Sequence, residues 1–176
     1  VEWASSNSGG FFNQGTFWTG GAAPGPLGHA IFDIPKAMNA FQNIVFNASA
    51  ASGRLTVESV EKLFFSLFDV NYVIGDEYSE TPGEPSIIIG DQSTASEVEV
   101  RNSAGFTQDA YGLFGKSMAL GRGAGAQGAL RIVGPKVLLE LSGESRVGAA
   151  GDGELDVRND AMMFSQGDIV LGEQPD

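Results

Sequence analysis

The sequence has no cysteine and one histidine, and only 10 lysines and arginines stand against 22 aspartates and glutamates. The missing thiols exclude disulfides, thiolate metal sites and cysteine nucleophiles together. A formal charge of −12 suits a phosphate backbone poorly, because affinity for it comes from Lys and Arg, so nucleic acid is not an expected partner. No apolar run approaches the roughly 18 residues needed to span a bilayer, and membrane insertion is not expected. The chain opens at Val1 with no Met, basic stretch or apolar leader, which fits a processed mature chain or an excised piece of a longer one. What is present is 176 residues with a 42% hydrophobic fraction. That is enough apolar surface to bury a core against the entropy of ordering the chain.

Glycine is abundant, at 25 residues, and its placement is informative. Aliphatic-Gly pairs close apolar runs at Ile74-Gly75, Ile89-Gly90, Leu120-Gly121, Val147-Gly148 and Leu171-Gly172. Between them recurs an alternating phrase: Leu55-Thr56-Val57-Glu58, Val98-Glu99-Val100-Arg101, Leu130-Arg131-Ile132-Val133 and Leu155-Asp156-Val157-Arg158. The last two units, 120–146 and 147–170, have 27 and 24 residues. Repeats of this length indicate a solenoid, a propeller or another array, and a propeller blade needs about 40–45 residues. Period-two alternation in 68–74, 139–141 and 168–171 predicts short strands, with glycine clusters turning the corners. The expected fold is all-β, a right-handed parallel β-helix (β-solenoid), with a sandwich or jelly roll as the alternative. Residues 1–46 are expected to form a non-repeating, aromatic-rich N-terminal cap, and 47–176 the solenoid rungs. Over 59–68 the apolar spacing is helical, while the flanking phrases favour a strand.

The opening holds both tryptophans and three of the 12 phenylalanines within 18 residues: Trp3, Phe11, Phe12, Phe17 and Trp18. The run Trp3, Gly9-Gly10-Phe11, Phe17-Trp18, Gly21, Pro24-Gly25 and Ala30-Ile31-Phe32 resembles the start of exported bacterial, planctomycete-like surface proteins with autotransporter-type β-strand repeats. Positions 53–57, 74–75, 98–101 and 120–172 resemble the repeats of that group. His29 stands where its pattern usually has an acid, and a sorting tail is lacking. The resemblance implies a parallel β-helix at the cell surface or outside the cell, with no catalytic residues to carry over. Physically, the first rung of a solenoid needs a cover for its open core and strand edges, and large aromatics supply one. A sugar-stacking platform is the competing role for these rings.

Catalytic signals are few. No Gly-x-Ser-x-Gly surrounds a serine, and His29 sits in a Pro-rich stretch, so a Ser-His-Asp triad is not expected. No cofactor is expected. Calcium is the candidate ion, because oxygen ligands dominate. The acidic runs are Asp76–Glu84 and Asp152-Gly153-Glu154-Leu155-Asp156, the latter matching Gly-rich calcium repeats only in part and making Asp152, Glu154 and Asp156 the candidate ligands. Arg101, Arg131 and Arg158 have two readings. They form either a basic ladder for an anionic glycan or, as favoured, an outward row paired with Glu97, Glu99, Glu154 and Asp156. Twelve of the acids but only three of the bases fall within 1–100, leaving that part anionic.

The composition suits an exported protein, so an extracellular or cell-surface location is expected. The expected function is a non-catalytic structural or adhesive one, as a filament or surface-layer subunit. Such subunits would stack head to tail through Trp3, Phe11, Phe12 and Trp18 at one end and Ile169 and Leu171 at the other. Partners would be further copies, further repeats of a parent chain, or cell-surface glycans. The alternative is a carbohydrate-binding or polysaccharide-cleaving β-helix.

Overall fold

The computed structural model describes residues 1–4, 9–34, 41–58, 62–75, 84–92, 95–102 and 111–172. A partial first turn holds β1 (Gly9–Phe11) and β2 (His29–Asp33), with a single 3-10 turn at Gly15–Phe17 between them. Five turns of three strands follow. They are β3 (Gln42–Phe46), β4 (Ala50–Ser52) and β5 (Arg54–Glu58), then β6 (Leu63–Leu67), β7 (Tyr72–Ile74) and β8 (Ile87–Ile89). Next come β9 (Ala95–Asn102), β10 (Tyr111–Gly115) and β11 (Met118–Leu120), and β12 (Gln127–Val133), β13 (Val137–Leu141) and β14 (Ser145–Val147). The last turn is β15 (Asp152–Arg158), β16 (Met162–Ser165) and β17 (Ile169–Leu171).

The strands stack turn upon turn into three sheets. The first runs β1-β3-β6-β9-β12-β15, the second β4-β7-β10-β13-β16 and the third β2-β5-β8-β11-β14-β17. Pairing between named strands is parallel throughout, for example Leu130 with Val98 on one side and Leu155 on the other. This is the arrangement of a parallel β-solenoid.

Alternation explains the core. On the first sheet Ile44, Phe65, Val100 and Ile132 stand in one register column, each fully buried, while their neighbours point outward. Columns from all three sheets join in one hydrophobic cluster, where each fully buried aliphatic or aromatic side chain contributes about 1.5–3 kcal/mol. Three of the four Leu-x-Val phrases, at 98, 130 and 155, lie in register on the first sheet. The fourth, Leu55-Thr56-Val57, belongs to the third sheet, and its first-sheet counterpart is the strand Leu63–Leu67. The part of 59–68 that is described therefore holds a strand; 59–61 lie outside the described residues. Its helical spacing arises because Phe64, outward-facing, is aromatic too.

The glycine pairs sort in the same way. Ile89, Leu120, Val147 and Leu171 align on the third sheet, and each is followed by a glycine with φ between 61° and 75°. Each of these glycines donates its N–H to the turn before it, as Gly121 does to Ile89. Ile74-Gly75 ends a strand of the second sheet instead. Within 1–46, β1, β2 and β3 already pair into the sheets, so the stacked turns begin before residue 47.

Candidate functional site

Three regions carry the side chains that the sequence singled out. At the N-terminal end, Trp3, Phe12 and Trp18 are 3%, 0% and 3% exposed. Trp3 stacks on Phe17 at 5.4 Å and meets Trp18 edge-on at 5.0 Å, and Phe12 stacks on Phe46 at 4.7 Å. The Trp18 indole N–H donates to the Phe12 carbonyl at 2.8 Å, whereas the buried Trp3 indole N–H finds no partner among the described residues. Backbone bonds from Trp3 to Ile31 and from Ile31 to Val1 occupy the free edge of β2. The expectation that Trp3, Phe12 and Trp18 form a mating surface is therefore corrected: their rings are spent inside the molecule. Phe11 alone of that set is exposed, at 37%.

The C-terminal turn differs. Leu155, Val157 and Met163 are only partly buried against the core, and Ile169 and Leu171 are 41% and 73% exposed. Phe164, outward on β16, is 58% exposed. Ile169 and Leu171 continue the inward columns of Ser145 and Val147, so at this end core positions reach the surface.

The third region is the outer face of the first sheet. Arg131 binds Glu97, Glu154 at 3.2 Å and Asp156 at 3.8 Å; Arg158 binds Asp156 at 3.4 Å and Glu99 at 4.0 Å. Lys62 spans Glu97 and Glu99 at 2.9 and 3.2 Å. Burial alone would raise the Glu97 carboxyl, but hydrogen bonds from Lys62 and Arg131 outweigh it and hold Glu97 below the usual carboxylate range. The favoured paired row forms at Arg131 and Arg158 but not at Arg101, which lies over the Phe64 ring. A basic ladder does not form, because Arg101 and Arg158 share a register column with Val133 between them, while Arg131 lies two positions along the strand.

Asp152, Glu154 and Asp156 alternate along β15, so they line up along the strand, and two of them are held by arginines. Among the described residues no group of three His, Cys, Asp or Glu is placed to hold a metal ion. The other acidic run lies outside the described residues except Glu84, which binds Arg54 at 2.5 Å and Arg122 at 3.4 Å. His29 shares a 2.7 Å hydrogen bond with Thr56. Burial, then Arg54 and the N-terminal ammonium, push its pKa down to about 4, so it is neutral at pH 7.

Sequence reasoning missed Phe41, Phe64, Ser66 and Asn43, which gather around Arg101 on this same face. Only the strand register brings them together. Compared with known proteins, the chain matches no family model, no curated protein and no solved structure.

Proposed function

We propose that this chain is a non-catalytic solenoid module of an extracellular or cell-surface structural or adhesive protein, working through contact at its C-terminal turn. In this reading the coil is right-handed, the hand that parallel crossovers take, and the aromatic cluster of Trp3, Phe12, Phe17 and Trp18 is its N-terminal cap. The observation that carries the reading is the contrast between the ends. One buries the rings of Trp3, Phe12 and Trp18; the other leaves Leu171 at 73% and Ile169 at 41% exposure on core columns. A solenoid turn in that state is completed by another turn stacked upon it. The head-to-tail filament expected from sequence loses half its contact, since the rings meant for the head are internal. The mating surface assigned here is β15–β17.

Sedimentation of the purified chain across a wide concentration range tests this. Wild type is expected to self-associate at micromolar to millimolar concentration, and Leu171→Glu to remain monomeric with an unchanged thermal midpoint. Phe11→Glu, at the other end, is expected to associate as wild type does. A monodisperse wild-type monomer at millimolar concentration overturns the reading, and so does association that survives Leu171→Glu.

A further inference from the structure

Arg101 stands apart from the paired charges around it. Among the described residues, Arg54, Arg122, Arg131, Arg146 and Arg158 each meet a carboxylate, and Arg101 does not. Its guanidinium lies 3.9 Å above the centre of the Phe64 ring. Its Nε donates to Ser66 Oγ at 3.3 Å, and Ser66 in turn donates to Asn43 Oδ1 at 2.7 Å. Ring and hydroxyl thus fix the plane of the fork while its two terminal nitrogens meet no carboxylate. Beside it, Phe41 is 53% exposed and sits edge-on to Phe64 at 5.9 Å. Glu99, on the neighbouring column, is engaged by Lys62 and Arg158. The net charge of −12 therefore does not decide the local field, where Lys62, Arg101, Arg131 and Arg158 face Glu97, Glu99, Glu154 and Asp156.

We propose that Arg101, Phe41, Phe64, Ser66 and Asn43 form a binding site for the carboxylate of an acidic sugar. A planar guanidinium held by a stacked ring pairs with a carboxylate through two parallel bonds, and its fixed orientation lowers the ordering cost on binding. The exposed Phe41 ring offers an apolar surface for a pyranose face, and the Asn43 amide is a neutral partner for hydroxyls. The site's strands favour a sugar over an acidic peptide. β6 is paired on both sides, by β3 and β9, so no backbone edge is open to an added peptide strand and recognition falls to side chains.

Calorimetric titration with a galacturonic acid tetramer tests the site, with the galactose tetramer and a glutamate tetrapeptide as comparison probes. The acidic sugar is expected to bind, more weakly as salt rises, and neither comparison probe to match it. Arg101→Gln is expected to weaken binding at least about tenfold, the scale of a charge-assisted pair, and Arg101→Lys to fall between. Phe41→Ala, at an exposed ring whose loss leaves the core intact, is expected to weaken binding severalfold. No binding at millimolar acidic tetramer overturns the proposal. Equal affinity of Arg101→Gln or of Phe41→Ala, or of either comparison probe, overturns it as well.

Discussion

Gln42 shares a register with Leu63, and through it with Val98, Leu130 and Leu155. It is 1% exposed, and neither polar atom of its side-chain amide has a hydrogen-bond partner among the described residues. Tyr72 shows how the same interior treats a satisfied polar group: its hydroxyl shares a 2.7 Å bond with Ser52, and burial pushes its pKa up. An unpaired buried amide costs about 1–3 kcal/mol. Gln42→Leu keeps a similar volume and extends the aliphatic column, so it is expected to raise unfolding stability by about 1–3 kcal/mol in a urea titration. No gain would mean that the amide has a partner in solution. Nothing in the sequence marked Gln42, because a polar residue beside Asn43 reads as an outward position until the register assigns it inward. The opposite holds for Arg131 and Arg158, whose acidic partners lie on alternate positions of neighbouring repeat phrases and were legible as pairs. Arg101 was read with them and is different, since the residues that hold it, Phe64 and Ser66, come from a strand that lacks the repeat's charged pattern.

At the scale of an element, the third-sheet corner recurs as an aliphatic residue and a left-handed glycine. Gly121 has φ 61°, and a Cβ there would run into the Asp152 carbonyl of the next turn. The backbone alone disfavours a side chain at such an angle, and the contact with a carbonyl leaves no flexible neighbour to move. Gly121→Ala is expected to lose more than about 1 kcal/mol and to lower the thermal midpoint, whereas Gly125→Ala has a similar φ of 74° but open space around it. A larger loss at 121 than at 125, measured by parallel melts, separates crowding by the next turn from backbone strain. This corner was visible in sequence because it is local: two adjacent residues carry it. Turn length was not, since Leu63 to Val98 is 35 residues while Leu130 to Leu155 is 25. Insertions fall between β7 and β8 and between β9 and β10, so equal spacing could not assign Leu55-Thr56-Val57 to its sheet.

At the scale of the molecule, each turn touches chiefly the turns before and after it, so stability is close to a sum of turn and neighbour terms. A turn with a neighbour on one side only has fewer such terms, and the two ends are unequal even so. The first turns are locked by rings that bridge several segments: Trp3 meets Phe32 at 5.5 Å, Phe32 meets Phe65 at 5.7 Å, and Phe12 meets Tyr72 at 4.9 Å. The last turn has no ring packed on another ring among the described residues. Opening should therefore begin at β15–β17 and run backwards, with the strands from β3 to β13 exchanging only through larger openings. Hydrogen exchange followed by mass spectrometry checks this. Amides of 152–171 are expected to exchange fastest among the strands, ahead of those of 42–67, and the gradient should steepen in Gly121→Ala, which loosens the junction between the last two turns. The proposed contact through the last turn adds a second dependence. If β15–β17 are completed by another turn, their exchange slows as protein concentration rises, and Leu171→Glu abolishes that slowing without altering exchange in 42–67. Uniform protection along the coil, or a fast N-terminal end, would contradict the order of stability that the rings impose.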